Sequence, residues 1–266
     1  LCISAPVVLR APCVAARIVV GRPADVLRLR DAQLFFLFGP DMETFLPRAL
    51  QQRTQSSVAL QELPGLQLRH FGQADASGDA QDTDGHDHIH RPGTLDAHLW
   101  LSPANAKVIA TKMAAELAAV DPPNAVRYQA NLQAFAQRLD ALDLRLRNQL
   151  AGIQGKPYFV FHETYDYFED AYGLEHAGVF SLGSEVQPGA RRVAQMRAEL
   201  QSAGPTCVFS EPPLRPRLAQ TLSEGLPVQL AELDAMGSRV QVSAQGYQQL
   251  LQNLANALLV CLDSKK

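Results

Sequence analysis

The chain has 266 residues, 47% of them hydrophobic, and a formal net charge of −3. That is enough apolar material for a substantial core, which excludes disorder along the whole length. Charges of both signs are interspersed, leaving no basic face for nucleic acid, and no apolar run approaches the ~20 residues that cross a bilayer. The composition reads as soluble and globular.

Residues 1–20, LCISAPVVLRAPCVAARIVV, are atypical: arginines interrupt the apolar stretches, and there is neither a charged start nor a small-residue cleavage site of a secretory signal. Four short, continuously apolar runs follow in the chain: QLFFLFG (33–39), PYFVFH (157–162), TCVFSEP (206–212) and PVQLAELD (227–234). Their length and continuity predict strands covered on both faces. Helical patterns lie around 41–51, 188–203 and 215–224, so strand and helix alternate as in parallel α/β layers.

Residues 67–95 are rich in Gly, Asp, Gln and His and have little to bury, which predicts a mobile loop. Next, Ser102 is a natural N-cap and Pro103 suits the first turn of a helix striped by Val108, Ile109, Met113 and Leu117. From Pro122, Tyr128, Leu132, Phe135, Leu139, Leu142, Leu146 and Leu150 recur at steps of four and three. This predicts a helix of about thirty residues, about 42 Å long. It separates an N-terminal lobe (1–121) from a C-terminal lobe (154–266), with 122–153 as a stiff link.

Three residues stand where an α/β fold presents groups to a ligand. His98 precedes the N-cap at Ser102, His162 ends the run YFVF, and Asp234 ends VQLAEL. Ligands of open α/β sheets bind at the carboxyl ends of the strands, and imidazole with an added carboxylate is a zinc donor set. Each residue also has an ordinary explanation: His98 packing under Trp100, His162 capping a helix, Asp234 opening a turn. A metalloprotease reading fails because H-E-x-x-H needs a histidine where Asp166 stands. Glu211 and Glu163 have no identifiable acid–base partner and read as structural. His86, His88 and His90 alternate in GHDHIH, but their flanks offer nothing to impose metal geometry, so an auxiliary zinc-collecting role is set against a plain solvated linker. Of the four cysteines, Cys207 and Cys261 are either a disulfide pair or two separate buried thiols.

The segments DAHLWLSPANA (96–106), FVFHETYDYFEDAYGL (159–174), QPGARR (187–192), CVFSEPPLRPRL (207–218) and ELDAMG (232–237) occur in this order. Together they resemble the periplasmic zinc-binding proteins of high-affinity zinc-uptake ABC transporters, from about Gly21 to the end. The resemblance implies two α/β lobes joined by a rigid helix, with zinc carried in the cleft between them to a membrane permease and no catalysis. It places metal ligands at His98 and His162, with Asp234 as a weak or optional ligand. It also implies a Cys207–Cys261 disulfide, a periplasmic location and a monomer. Manganese-binding relatives carry a carboxylate where His162 stands, so the histidine favours zinc. The alternatives are a manganese or iron carrier of the same fold, a zinc-dependent hydrolase, and an impaired copy.

The last alternative arises from one departure. The family supplies a first histidine ligand upstream of a segment matched here by GRPADVLRLRDAQ, and counting back from Arg22 puts Arg17 in that place. Residues 1–20 are therefore expected not to be the family's N-terminus, through truncation or a shifted reading frame. The remaining set of two nitrogens and one oxygen is one short of a closed tetrahedral site.

Overall fold

The computed structural model describes residues 23–43, 46, 50–51, 53–72, 93–180, 190–212 and 217–263. Arg17, Cys2, Cys13 and the loop histidines His86, His88 and His90 lie outside them.

Helix α1 (Pro23–Asp31) leads into strand β1 (Leu34–Leu37), which pairs in parallel with β2 (Ser56–Ala59). All four residues of β1 are buried. The strand β2 was not anticipated, because Ser-Ser-Val-Ala is short and half polar and carries no alternation strong enough to read. The candidate helix at 41–51 falls partly outside the described residues. Its described start is a turn in which the Met42 and Glu43 amides donate to the Gly39 carbonyl.

The second sheet is parallel throughout, in the order β4 (Gly178–Val179), β3 (Tyr158–Val160), β5 (Thr206–Ser210) and β6 (Val228–Glu232). Strands β3 and β5 are buried almost end to end, as their apolar continuity predicts. The strand β6 differs from the expectation of two covered faces: it stands at the sheet edge and Leu230 is 42% exposed. An edge strand lacks a neighbour on one side, so an apolar run there need not be buried.

Helix α2 (Pro103–Val120) starts as its sequence dictates, with the Ser102 hydroxyl accepting from the Asn105 amide at 3.2 Å. The long helix α3 spans Ala125–Leu150, with a 3-10 turn at each end (Pro122–Asn124 and Ala151–Ile153). Its 26 residues give about 39 Å. Phe135, Leu139, Leu142, Leu146 and Leu150 are buried, whereas Tyr128 and Leu132 are only partly so. The helix therefore sinks into the protein toward its C-terminal half, where it packs on the C-terminal helix α7 (Gly246–Leu262), which follows α4 (Asp166–Tyr172), α5 (Ala190–Ala203) and α6 (Arg217–Ser223) in the chain.

One apolar cluster runs from Leu34 and Phe36, through Leu139 and Leu146, to Leu251 and Leu258. The two lobes thus share a core at the base of the cleft. Cys207 of β5 is joined to Cys261 of α7 by a disulfide with Cα atoms 6.2 Å apart, and both residues are fully buried.

Candidate metal centre

His98 sits in the short passage from Asp96 into a 3-10 turn whose residues, Leu99, Trp100 and Leu101, are all buried. Burial of three consecutive apolar side chains fixes the turn, and with it the direction of His98. Asp96, 1% exposed, holds the residue twice. Its Oδ1 accepts from the His98 amide at 3.0 Å and lies 2.7 Å from His98 Nδ1. The His98 ring also meets Trp100 edge-on at 5.3 Å, so the packing role and the ligand role coexist.

On the other side of the cleft the parallel order β3, β5, β6 places three carboxyl ends side by side, and each carries one polar residue. His162 follows β3, Glu211 follows β5 and Asp234 follows β6. His162 Nδ1 lies 2.6 Å from Thr164 Oγ1 and 3.2 and 3.3 Å from the two Glu211 oxygens. Helix α4 (Asp166–Tyr172) begins four residues later, so His162 is not its cap. In each histidine Nδ1 stands beside a carboxylate, with the Thr164 hydroxyl closer still in His162, and where Nδ1 donates its proton there Nε2 is the nitrogen with a lone pair to turn to a metal. Their rings are 5.3 Å apart, centroid to centroid, at 85°.

Burial alone would raise the Glu211 pKa, but hydrogen bonds and charge from His162, with Thr164 and His98, outweigh it and hold the carboxyl below its usual value. Tyr165 completes this layer: its hydroxyl donates to the Leu233 carbonyl at 2.8 Å and to Glu211 at 3.3 Å. Burial, then the Glu211 charge, drives the Tyr165 pKa well up, so it remains a donor. The Glu163 carboxyl, half-buried beside Asp166, is pushed up by burial first and by that charge second.

Asp234 is placed differently. Its Oδ2 accepts from Ser238 Oγ at 2.8 Å and its carbonyl accepts from the Gly237 amide at 3.2 Å, which makes it the start of a turn. Among the described residues, three metal-capable side chains whose donor atoms lie within 4.8 Å of one another are Asp166, Glu169 and His176, and Asp234 is not of that set.

The cleft floor is tied across the lobes. Trp100 Nε1 donates to the Ala235 carbonyl at 3.0 Å, and the Tyr247 hydroxyl donates to the Trp100 carbonyl at 2.8 Å. The Tyr167 hydroxyl donates to the Asp96 carbonyl at 2.9 Å.

The positioning roles of Asp96 and Glu211 were missed in the sequence. For Asp96 the spacing D-x-H was the available signal; for Glu211, a carboxylate just after an apolar strand.

Two α/β lobes share a core with a long connecting helix, and an imidazole from each lobe stands beside the carboxyl ends of the larger parallel sheet. A solved structure titled "Crystal structure of ZnuA" superposes with a TM-score of 0.72 at 22% identity, covering 91% of this chain and 84% of that one. The solute-binding protein FpvC of Pseudomonas aeruginosa, solved in complex with Mn2+, superposes with a TM-score of 0.73 at 20% identity, over 92% of this chain and 85% of that one.

In sequence, the high-affinity zinc uptake system protein ZnuA of Yersinia pestis is 36% identical over 251 residues, 91% of this chain and 79% of its own. The protein of the same name from Brucella abortus (strain 2308) is 34% identical over 273 residues, 91% of this chain and 80% of its own. The family model for ZnuA, the periplasmic zinc-uptake complex component A, matches residues 19–261. The chain belongs to the ZnuA family.

Proposed function

We propose that the chain captures Zn²⁺ in the cleft and passes it to the permease of an ABC importer, acting in the periplasm as a monomer and without catalysis. Nε2 of His98 and Nε2 of His162 are the nitrogen donors, and Asp234, after leaving its turn partners, is the oxygen donor. The lobes meet on either side of residues 122–153. His86, His88 and His90 act as an auxiliary collecting site. The observation that carries this reading is the pair of imidazoles that meet from opposite sides of the cleft, each with a carboxylate beside its Nδ1.

The test is a competition titration against a zinc chelator at neutral pH, comparing the chain with its His98→Ala and His162→Ala forms. Each substitution is expected to weaken zinc binding by about a hundredfold or more, beyond what loss of a supporting partner costs. Affinity indifferent to both substitutions overturns the site. Zinc lost only when His86, His88 and His90 are replaced would place the ion on the loop instead.

A further inference from the structure

A second group of metal-capable side chains stands on the C-terminal lobe, made of different residues. Asp166 and Glu169 are three apart on α4 and so share one helix face. The helix stops at Gly173, whose left-handed φ of 66° turns the chain back. That reversal returns His176 to the same face, with Nδ1 2.8 Å from Glu169 Oε2 and 3.8 Å from Asp166 Oδ1. One donor atom from each residue lies within 4.8 Å of the other two.

The two carboxylates are held from outside the group. Tyr158, fully buried in β3, donates its hydroxyl to Glu169 Oε1. Arg69 reaches Asp166 Oδ2 at 3.4 Å and also pairs with Asp170. Asp166 Oδ1, by contrast, is buried and accepts no hydrogen bond. A buried carboxylate oxygen without a donor is costly and calls for a physical explanation. The two oxygens of Asp166 are thus divided between an arginine and the interior of the group.

We propose that Asp166, Glu169 and His176 form a second divalent-metal site, for zinc or an ion of similar preference. It supplies one imidazole nitrogen and two carboxylate oxygens, with water completing the coordination. Imidazole with carboxylates suits zinc and its neighbours among the transition metals. Ligands about 2.1 Å from a tetrahedral ion stand about 3.4 Å apart. The His176–Glu169 contact at 2.8 Å need open only slightly, and the His176–Asp166 gap at 3.8 Å close slightly. On binding, the metal takes the place of any proton on His176 Nδ1, which leaves to solvent. Three protein ligands and an open position make this an exchangeable site. It depends on none of His98, His162 and Asp234.

The test isolates this group by replacing His98, His162, His86, His88 and His90 with alanine in the full chain. Equilibrium dialysis against micromolar Zn²⁺ then counts the bound ions. One zinc per chain is expected, and adding Asp166→Asn or His176→Gln is expected to reduce it to none. Asp166→Asn keeps the shape of the side chain, and its urea midpoint without zinc is expected to match that of the parent. The parent's zinc-dependent rise in melting temperature is expected to disappear. No bound zinc in the five-alanine chain, or a count untouched by both further substitutions, overturns the proposal. A failure of the cleft reading appears separately, as tight zinc binding that survives His98→Ala and His162→Ala.

Discussion

His98 and His162 face each other nearly at right angles, with ring centroids 5.3 Å apart and planes at 85°. They reach this relation from unrelated supports, a buried 3-10 turn and the end of a parallel strand. Asp96 stands beside Nδ1 of His98, and Glu211, together with Thr164, beside Nδ1 of His162. Asp96→Asn and Glu211→Gln are each expected to lower zinc affinity by about 10–100-fold, as loss of a partner behind a metal-bound histidine does. Chelator competition measures this, and affinities equal to the parent's would show that the carboxylates do not orient the rings.

Acid stability carries a second signature. The folded-state pKa of Glu211 lies below its ordinary value of 4.5 because interactions with His162, Thr164 and His98 outweigh the upward push of burial. A depressed carboxylate contributes stability above its unfolded-state pKa, and that contribution is lost as pH falls through the lower folded value. Metal-free wild type is therefore expected to be more stable than Glu211→Gln about one pH unit above 4.5, with the gap closing about one unit or more below it. Urea midpoints across this range test it; a constant gap would contradict the assignment.

The disulfide closes a sequence separation of 54 residues between β5 and α7. Chain-entropy arguments assign a loop of that length about 4 kcal/mol. Cys207→Ala with Cys261→Ala is expected to lower unfolding free energy by about 2–5 kcal/mol, read from denaturant curves. Wild type treated with a reductant is expected to move toward the variant, while a reductant-insensitive midpoint would mean the bond adds little.

Trp100→Phe removes the indole donor to the Ala235 carbonyl, a contact between the His98 turn and the residue next to Asp234. The orphaned buried carbonyl is expected to cost about 1–3 kcal/mol of stability. Zinc affinity is expected to fall as well, since the same bond aligns the two sides of the cleft floor. An unchanged urea midpoint together with unchanged affinity would rule out that role.

Much of the frame was legible in the residues. The four-and-three spacing of Phe135, Leu139, Leu142, Leu146 and Leu150 marks a buried helical stripe, and Ser102-Pro103 marks a helix start; both are consequences of local backbone geometry. Short continuous apolar runs marked β1, β3 and β5, which are buried. The burial of β6 was overestimated, because position at a sheet edge is set by strand order, which a single segment does not encode. The strands β2 and β4 were overlooked for a related reason: with four and two residues, they depend on a partner for their extended form.

The sequence by itself determined an α/β chain with a long helix, and it singled out His98 and His162, because helix periods, caps and strand ends are properties of neighbouring residues. Only the tertiary structure decided that Asp96 and Glu211 stand behind those histidines, that Cys207 meets Cys261, and that Gly173 returns His176 to Asp166 and Glu169. Such meetings depend on distances in space between residues up to 54 apart in the chain, and packing of the whole core sets those distances.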